Sequence, residues 1–213
     1  DKLVESLDRN FDNDEVLRLT LQNKTPRYGN DDEYADNIMQ EVFDSFFNEV
    51  EGRKNTKGGN YHIDMLPTTC HIYFGSVMGA MPDGRFKGMP LSEGISPVQG
   101  ADKKGPTAVI KSAGKMDHIR TGGTLLNMSL MPSLIADDNG VNNLVSLIRS
   151  YFRMSAHHIQ FNVVDKEILY EAKKYPEKYT DLLVRVAGYS DYFVDLGEAL
   201  QDEIISRTTL GKF

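Results

Sequence analysis

Several groupings in the sequence hold residue types able to do chemistry. Near the C-terminal end, Arg185-Val186-Ala187-Gly188-Tyr189-Ser190 sets a glycine between an apolar stretch, Leu182, Leu183 and Val184, and the run Asp191-Tyr192-Phe193. On these residues alone the glycine ends a strand where the chain must turn, and Arg185 and Tyr189 anchor that turn. Upstream, His158, Gln160 and Asn162 alternate with Ile159, Phe161 and Val163, so a strand there presents one polar and one apolar face. The polar face either lines a site or is satisfied by neighbouring loops. Cys70 is the single cysteine, which excludes an intramolecular disulfide and suits a reducing cytoplasm. Its surroundings, Thr68-Thr69-Cys70-His71-Ile72, read as a strand in which a thiol packs as a small buried hydrophobe. The adjacent His157 and His158 would point to opposite faces of a strand with no carboxylate-rich companion, so no metal site is expected. Gly100-Ala101-Asp102-Lys103-Lys104-Gly105-Pro106-Thr107 imitates a phosphate-binding loop, but Pro106 stands where that loop needs its lysine, and nucleotide binding is rejected.

The elements that must position these residues alternate in kind. A short helix is expected over 12–23. A stronger one follows a cap at Asn30, with Asp31, Asp32 and Glu33 at its positive end. Ala35, Ile38, Met39, Val42, Phe43, Phe46 and Val50 form its apolar stripe, and Gly52 suits its exit. Residues 61–69, 70–74, 107–111 and 124–129 read as strands, with a turn at Pro82-Asp83-Gly84 that Asp83 and Arg85 hold by hydrogen bonds. A covering helix runs over 141–152, with Val141, Leu144, Val145, Ile148, Tyr151 and Phe152 on one face. After the polar–apolar strand, Asp165 caps a helix through residue 172, and a last helix spans about 196–207. Helices interleaved with strands give an α/β class. With 31 acidic against 24 basic residues the net charge is −7, and no basic stripe occurs, which argues against nucleic acid or an anionic membrane as partner. No apolar run approaches the roughly 20 residues of a membrane span, and a cytoplasmic protein is expected.

Spaced blocks of the chain carry a resemblance to one family. Gly79-Ala80-Met81-Pro82-Asp83-Gly84-Arg85, Leu91-Ser92-Glu93-Gly94-Ile95-Ser96-Pro97, Gly105-Pro106-Thr107-Ala108, Gly123-Thr124-Leu125-Leu126-Asn127 and Gln160-Phe161-Asn162-Val163 come in that order, followed by the Gly188 run and the tail 200–208. Together they resemble the glycyl radical enzymes, the pyruvate formate-lyase-like family that includes several anaerobic dehydratases. The resemblance implies a ten-stranded α/β barrel in which two loops meet, one bearing a radical glycine and one a cysteine. It implies that Gly188 stores an unpaired electron on its α-carbon. Arg185, Val186, Ala187, Tyr189 and Ser190 would then support that loop, and His158, Gln160 and Asn162 would line the barrel interior. Only glycine suits this chemistry, because a Cβ would clash in the flattened radical and offer further hydrogens to lose. Residues 1–213 then form the C-terminal part of the barrel, with the radical segment at about 91–213. The family's Gly-Cys-x-Glu block is missing, so the catalytic cysteine is expected upstream, and this chain alone is expected to hold a radical without turning over substrate. The start at Asp1, without Met, fits a fragment.

The resemblance further implies a protein-based radical as cofactor, with no bound metal. A separate radical S-adenosylmethionine enzyme with an iron–sulfur cluster would generate it. The remaining partners are the rest of the barrel with its cysteine loop, a small-molecule substrate and a second copy of the full-length enzyme in a homodimer. Lys115-Met116-Asp117-His118-Ile119-Arg120-Thr121-Gly122-Gly123 and Tyr189-Ser190-Asp191-Tyr192-Phe193 are similar to the trans-4-hydroxy-L-proline dehydratase subgroup. Glycerol and propanediol dehydratases and a formate acetyltransferase-type lyase are the alternatives within the family. A stand-alone spare part for oxygen-damaged enzymes is the alternative of another class.

Overall fold

A computed structural model of the protein describes residues 2–212. Three helices open the chain: α1 (Lys2–Asp8), α2 (Glu15–Lys24) and the long α3 (Glu33–Val50). The cap of α3 is Asp32, whose carboxylate accepts from Ala35 N at 3.2 Å, and not Asn30 as the sequence suggests. Asn30 instead staples two loops. Its amide donates to Arg27 O and Ala101 O, at 3.1 and 2.8 Å, and accepts from Lys103 N and Lys104 N, at 2.8 and 3.2 Å. Gly52 leaves the helix end at φ +73°, as expected. Within the stripe of α3, Met39, Phe43 and Val50 join the core, whereas Ile38, Val42 and Phe46 remain exposed.

Two segments expected as strands are helices. The first is α4 (Cys70–Val77), which buries His71 and Gly75 and leaves Tyr73, Phe74 and Val77 exposed. Gly75 lets the loop at 89–91 press against this helix, since a Cβ there would lie 2.3 Å from Met89 O. Cys70 opens the helix and is exposed, so it is not the core thiol that the strand reading required. Residues 61–69 form no named strand and make one parallel bridge, Met65 to Thr124. The second is α5 (Pro106–Gly114). Pro106 at its first turn presets φ for a helix, and Ala108, Val109, Ile110, Ser112 and Ala113 are all buried. A helix buried on nearly every side shows no helical period in its apolar residues, which is why Thr-Ala-Val-Ile imitates a strand.

The sheet is built around β1 (Leu126–Leu130). Helix α6 (Asp138–Arg153) carries the chain over to β2 (Ile159–Val163), which pairs parallel to β1 with Asn127 opposite Gln160 and Ser129 opposite Asn162. Asp137 caps α6 by accepting from Gly140 N at 2.7 Å. Leu147 and Tyr151 are its buried apolar side chains; Val141, Val145 and Phe152 face outward, so the apolar stripe is rotated from the expected one. Helix α7 (Lys166–Lys174), capped by Asp165 as expected, leads to β3 (Leu183–Arg185) and β4 (Ser190–Tyr192), an antiparallel hairpin. Helix α8 (Glu198–Ser206) then delivers β5 (Thr209–Leu210) to the free side of β1, giving the order β2-β1-β5. One core lies among α3, α5, α6 and the sheet, and a second among the hairpin, α7 and α8. Among the described residues no helix is long and apolar enough to cross a membrane.

Candidate functional site

The Gly188 run forms the tip of the β3–β4 hairpin. Arg185 pairs with Ser190, and Val186 N donates to Tyr189 O at 2.8 Å, which places Ala187 and Gly188 at the turn. Gly188 adopts φ +82°, a region that disfavours any residue with a Cβ. A Cβ built on it meets nothing within 4 Å, so the backbone angle, and not crowding, calls for glycine. Gly188 and Tyr189 are exposed, whereas Val186 and Ala187 are buried with Val184, Phe193, Ile204 and Ile205. An apolar base thus fixes an exposed tip.

Polar side chains of β2 grip the same hairpin from one side. Asn162 takes both main-chain groups of Arg185, donating to its O and accepting from its N, each at 2.7 Å. Gln160 Oε1 accepts from Gly188 N at 3.2 Å and from Arg185 Nε at 2.8 Å, and Gln160 Nε2 donates to Asn127 Oδ1. Arg185 also donates to Ser190 Oγ at 3.2 Å and to Gly188 O at 3.4 Å. His158 lies half-buried at the start of this row, its Nδ1 without a hydrogen-bond partner among the described residues. Burial first, and the Arg185 charge second, lower its pKa, so the imidazole is neutral at neutral pH.

A second set of side chains holds the hairpin from below. Arg207, at the end of α8, donates to Arg185 O at 3.2 Å and Val186 O at 3.0 Å. Its guanidinium pairs with the fully buried Glu203 carboxylate at 2.8 Å, and Gln99 Nε2 adds a bond to Glu203 Oε1 at 2.9 Å. Burial works against ionisation of Glu203, yet His71, whose Nε2 lies at 3.7 Å, the Arg207 charge and the Arg207 and Gln99 bonds hold its pKa at about 2. Glu93 is buried next to this pair. Its Oε2 accepts from Asn127 Nδ2 and from Ser96 Oγ, and its Oε1 has no hydrogen-bond partner among the described residues. Burial raises its pKa to about 7, against the lowering effects of the Arg207 charge and the Asn127 bond.

That shift has a measurable consequence. A folded-state pKa above the unfolded value of 4.5 means that the folded chain binds the extra proton between pH 4.5 and about 7. Stability therefore falls as pH rises through this window, by on the order of 3 kcal/mol at most for this group. Urea unfolding of Glu93→Gln should show a flatter decline over the same window. Asp102, which burial pushes up to about 6, keeps its own share. An unchanged slope in the variant would mean that Glu93 titrates as an ordinary carboxylate.

Other residues singled out by sequence take quieter places. Arg85 clasps the carbonyls of Gly75 at 3.3 Å, Gly79 at 2.5 Å and Met89, while Asp83 Oδ1 accepts Arg85 N at 3.0 Å, so the pair does fix its turn. Gly105 and Pro106 serve as the start of α5. His157 packs edge-on against His118, which is buried between Thr124 Oγ1 and Ala113 O. Among the described residues no three His, Cys, Asp or Glu side chains cluster to hold a metal. Glu93, Asn127, Glu203 and Arg207 belong to the site although the sequence reading gave them no role. The i,i+4 spacing of Glu203 and Arg207 was the available signal for that pair.

Comparisons with known proteins agree along the chain. Residues 91–194 match the family model described as glycine radical, and residues 1–75 match the one described as pyruvate formate lyase-like. Trans-4-hydroxy-L-proline dehydratase of Clostridioides difficile is 59% identical over 208 residues, covering 98% of this chain and 26% of the relative. The crystal structure of hydroxyproline dehydratase from that organism superposes with a TM-score of 0.95 at 58% identity, over 99% of this chain and 27% of that one. The glycerol-bound B12-independent glycerol dehydratase of Clostridium butyricum gives 0.93 at 45% identity, over 99% and 27%. The chain spans about a quarter of the length of the curated relatives it matches and aligns with the C-terminal part of those larger enzymes. Its mixed helices and sheet are those of the matching part of the glycyl radical enzyme barrels. On its ordered sequence blocks, its fold and both matches, the chain belongs to the glycyl radical enzyme family.

Proposed function

We propose that this chain is the radical-storing part of an oxygen-sensitive glycyl radical dehydratase acting on trans-4-hydroxy-L-proline, and that Gly188 carries the radical. The observation that supports this most is the Gly188 hairpin: an open α-carbon at φ +82°, with its N–H and carbonyl each hydrogen-bonded, on a buried apolar base. The radical segment is about 91–213. A radical S-adenosylmethionine activating enzyme with an iron–sulfur cluster removes one hydrogen from Gly188. The glycyl radical then takes a hydrogen atom from a cysteine on the remainder of the barrel, and the resulting thiyl radical takes one from the substrate. Loss of the hydroxyl from the substrate radical as water, with one proton, and return of the hydrogen atom from the cysteine thiol to the product radical give a pyrroline carboxylate and restore the thiyl radical. The exposure of Gly188 fits this division of labour, since the rest of the barrel must then exclude oxygen and water from it. The complete enzyme works as a homodimer in the cytoplasm. Resemblance to the trans-4-hydroxy-L-proline dehydratase over nearly the whole chain supports that substrate over glycerol.

The test is anaerobic activation of the assembled enzyme, followed by electron paramagnetic resonance and product analysis. A doublet is expected, split by the one hydrogen left on the Gly188 α-carbon. Air should then cut the backbone at that residue, releasing the segment that follows it. Mass spectrometry showing an intact chain after activation and air exposure would refute the radical assignment. Dehydration of glycerol in preference to trans-4-hydroxy-L-proline would refute the substrate.

A further inference from the structure

We propose that Gln160 is a positioning residue that tunes the Gly188 radical, its side-chain carbonyl drawing on the Gly188 N–H while Arg185 draws on the Gly188 carbonyl. The inference rests on the reading of Gly188 as the radical site and adds a role for two flanking side chains. An unpaired electron on a glycine α-carbon is stabilised by two neighbours of opposite character: the amide nitrogen gives electron density and the carbonyl withdraws it. A hydrogen bond from the N–H to an acceptor makes the nitrogen a better donor. A hydrogen bond to the carbonyl oxygen makes that group a better acceptor. The structure supplies both. Gln160 Oε1 lies 3.2 Å from Gly188 N, and Arg185 Nη2 lies 3.4 Å from Gly188 O.

The orientation of the Gln160 amide is fixed from both ends. On the hairpin side, Gly188 N and Arg185 Nε can only donate, so the group between them must be an oxygen. On the far side, the Val186 carbonyl, 3.4 Å from Asn127 Nδ2, can only accept, and Glu93 Oε2 accepts from the same nitrogen. Asn127 therefore turns its Nδ2 to Glu93 and its Oδ1 to Gln160, and Gln160 answers with Nε2. The parallel register that sets Asn127 opposite Gln160 makes this chain of amides possible. Gln160 is 6% exposed, so water does not compete on its barrel side. Arg185 in turn is held to Gln160 Oε1 by its Nε, which aims Nη2 at Gly188 O. One carboxamide oxygen thus sets both halves of the arrangement.

The test is the assembled enzyme, activated anaerobically with glycine labelled by nitrogen-15, in wild-type form and as Gln160→Met and Gln160→Glu. Methionine keeps the volume and removes the acceptor; glutamate keeps an acceptor oxygen. In Gln160→Met the nitrogen-15 coupling and the α-hydrogen splitting should change, and the anaerobic signal should decay roughly 3- to 10-fold faster, the effect of one lost hydrogen bond. Gln160→Glu should load with a coupling close to wild type. Wild-type spectra and lifetime in Gln160→Met would overturn the proposal, because a merely structural residue alters yield and not coupling. Loss of loading in both variants would overturn it as well, since the second retains the acceptor. If the wild-type enzyme itself gave no signal, or if the signal survived Gly188→Ala, the assignment of Gly188 would be the part that failed.

Discussion

Gly188→Ala should erase the glycyl radical signal completely while leaving the protein folded. The two halves of this expectation have separate physical origins. An alanine at φ +82° is strained by about 1–2 kcal/mol, the ordinary penalty for a Cβ in the left-handed region, and its methyl meets nothing within 4 Å. The apolar base of the hairpin, with Val184, Val186 and Phe193 buried, is untouched by the change. The hairpin should therefore persist with a modest fall in melting temperature. The radical, by contrast, depends on an α-carbon that can flatten without a side chain striking the adjacent carbonyl. Gly88 is a matched control: it also has φ +82° and open space around its α-carbon. Gly88→Ala imposes the same backbone strain at a place without the Gln160 and Arg185 contacts, and its signal should equal that of the wild type. A wild-type signal in Gly188→Ala, read beside melting curves of both variants, would place the unpaired electron elsewhere.

What the sequence makes legible here is local. Asp165 at the start of α7 declares a helix because its carboxylate accepts an amide two residues on, a contact within the reach of spacing rules. The alternation from His158 to Val163 declares a strand with one polar face for the same reason. Asn30 shows where such reading ends. Its type and its position before an acidic run both suit a cap, yet three of its four partners lie more than seventy residues away in the chain. Helix α5 escapes for a different reason: burial of most of its surface, with Thr107 and Lys111 exposed, blurs the period by which a helix is recognised, and Thr-Ala-Val-Ile then looks extended. Cys70 follows its helix; misplacing the element misplaced the thiol from exposed to buried. At the site, Gly188 and its neighbours are visible as a run, whereas the network beneath it is assembled by strand register. Asn127 meets Gln160 only because β1 and β2 pair in parallel, and Glu93 meets Asn127 only through a loop folding onto β1. Family resemblance marked the blocks containing these residues, and three-dimensional proximity supplied their connections.

The largest loss of stability should come from Arg207→Ala. Its guanidinium is the cation facing Glu203, a carboxylate with no exposed side-chain surface, and it also donates to the carbonyls of Arg185 and Val186. Removing it leaves a buried charge without a partner, a change that costs about 3–5 kcal/mol in comparable sites. Gln99 remains as a neutral donor, with His71 Nε2 at 3.7 Å, and neither supplies the permanent charge of a guanidinium. Protonation of Glu203 is the escape, so the variant should regain part of its stability as pH falls, opposite to the wild type, whose Glu203 pKa is held well below its ordinary value. The double variant Glu203→Met with Arg207→Met removes both charges and should recover most of the stability in urea unfolding, because an apolar pair of similar size is often no worse than a buried ion pair. It should not recover the hairpin. The Arg185 and Val186 carbonyls still lack their donors, so amide hydrogen exchange across 185–190 should stay faster than in the wild type. A single-variant cost below about 1 kcal/mol would show that Glu203 is adequately solvated without Arg207. Restored exchange protection in the double variant would show that Asn162, Gln160 and the apolar base hold the hairpin by themselves. If the hairpin does loosen, Arg207 ties the mobility of the Gly188 loop to α8.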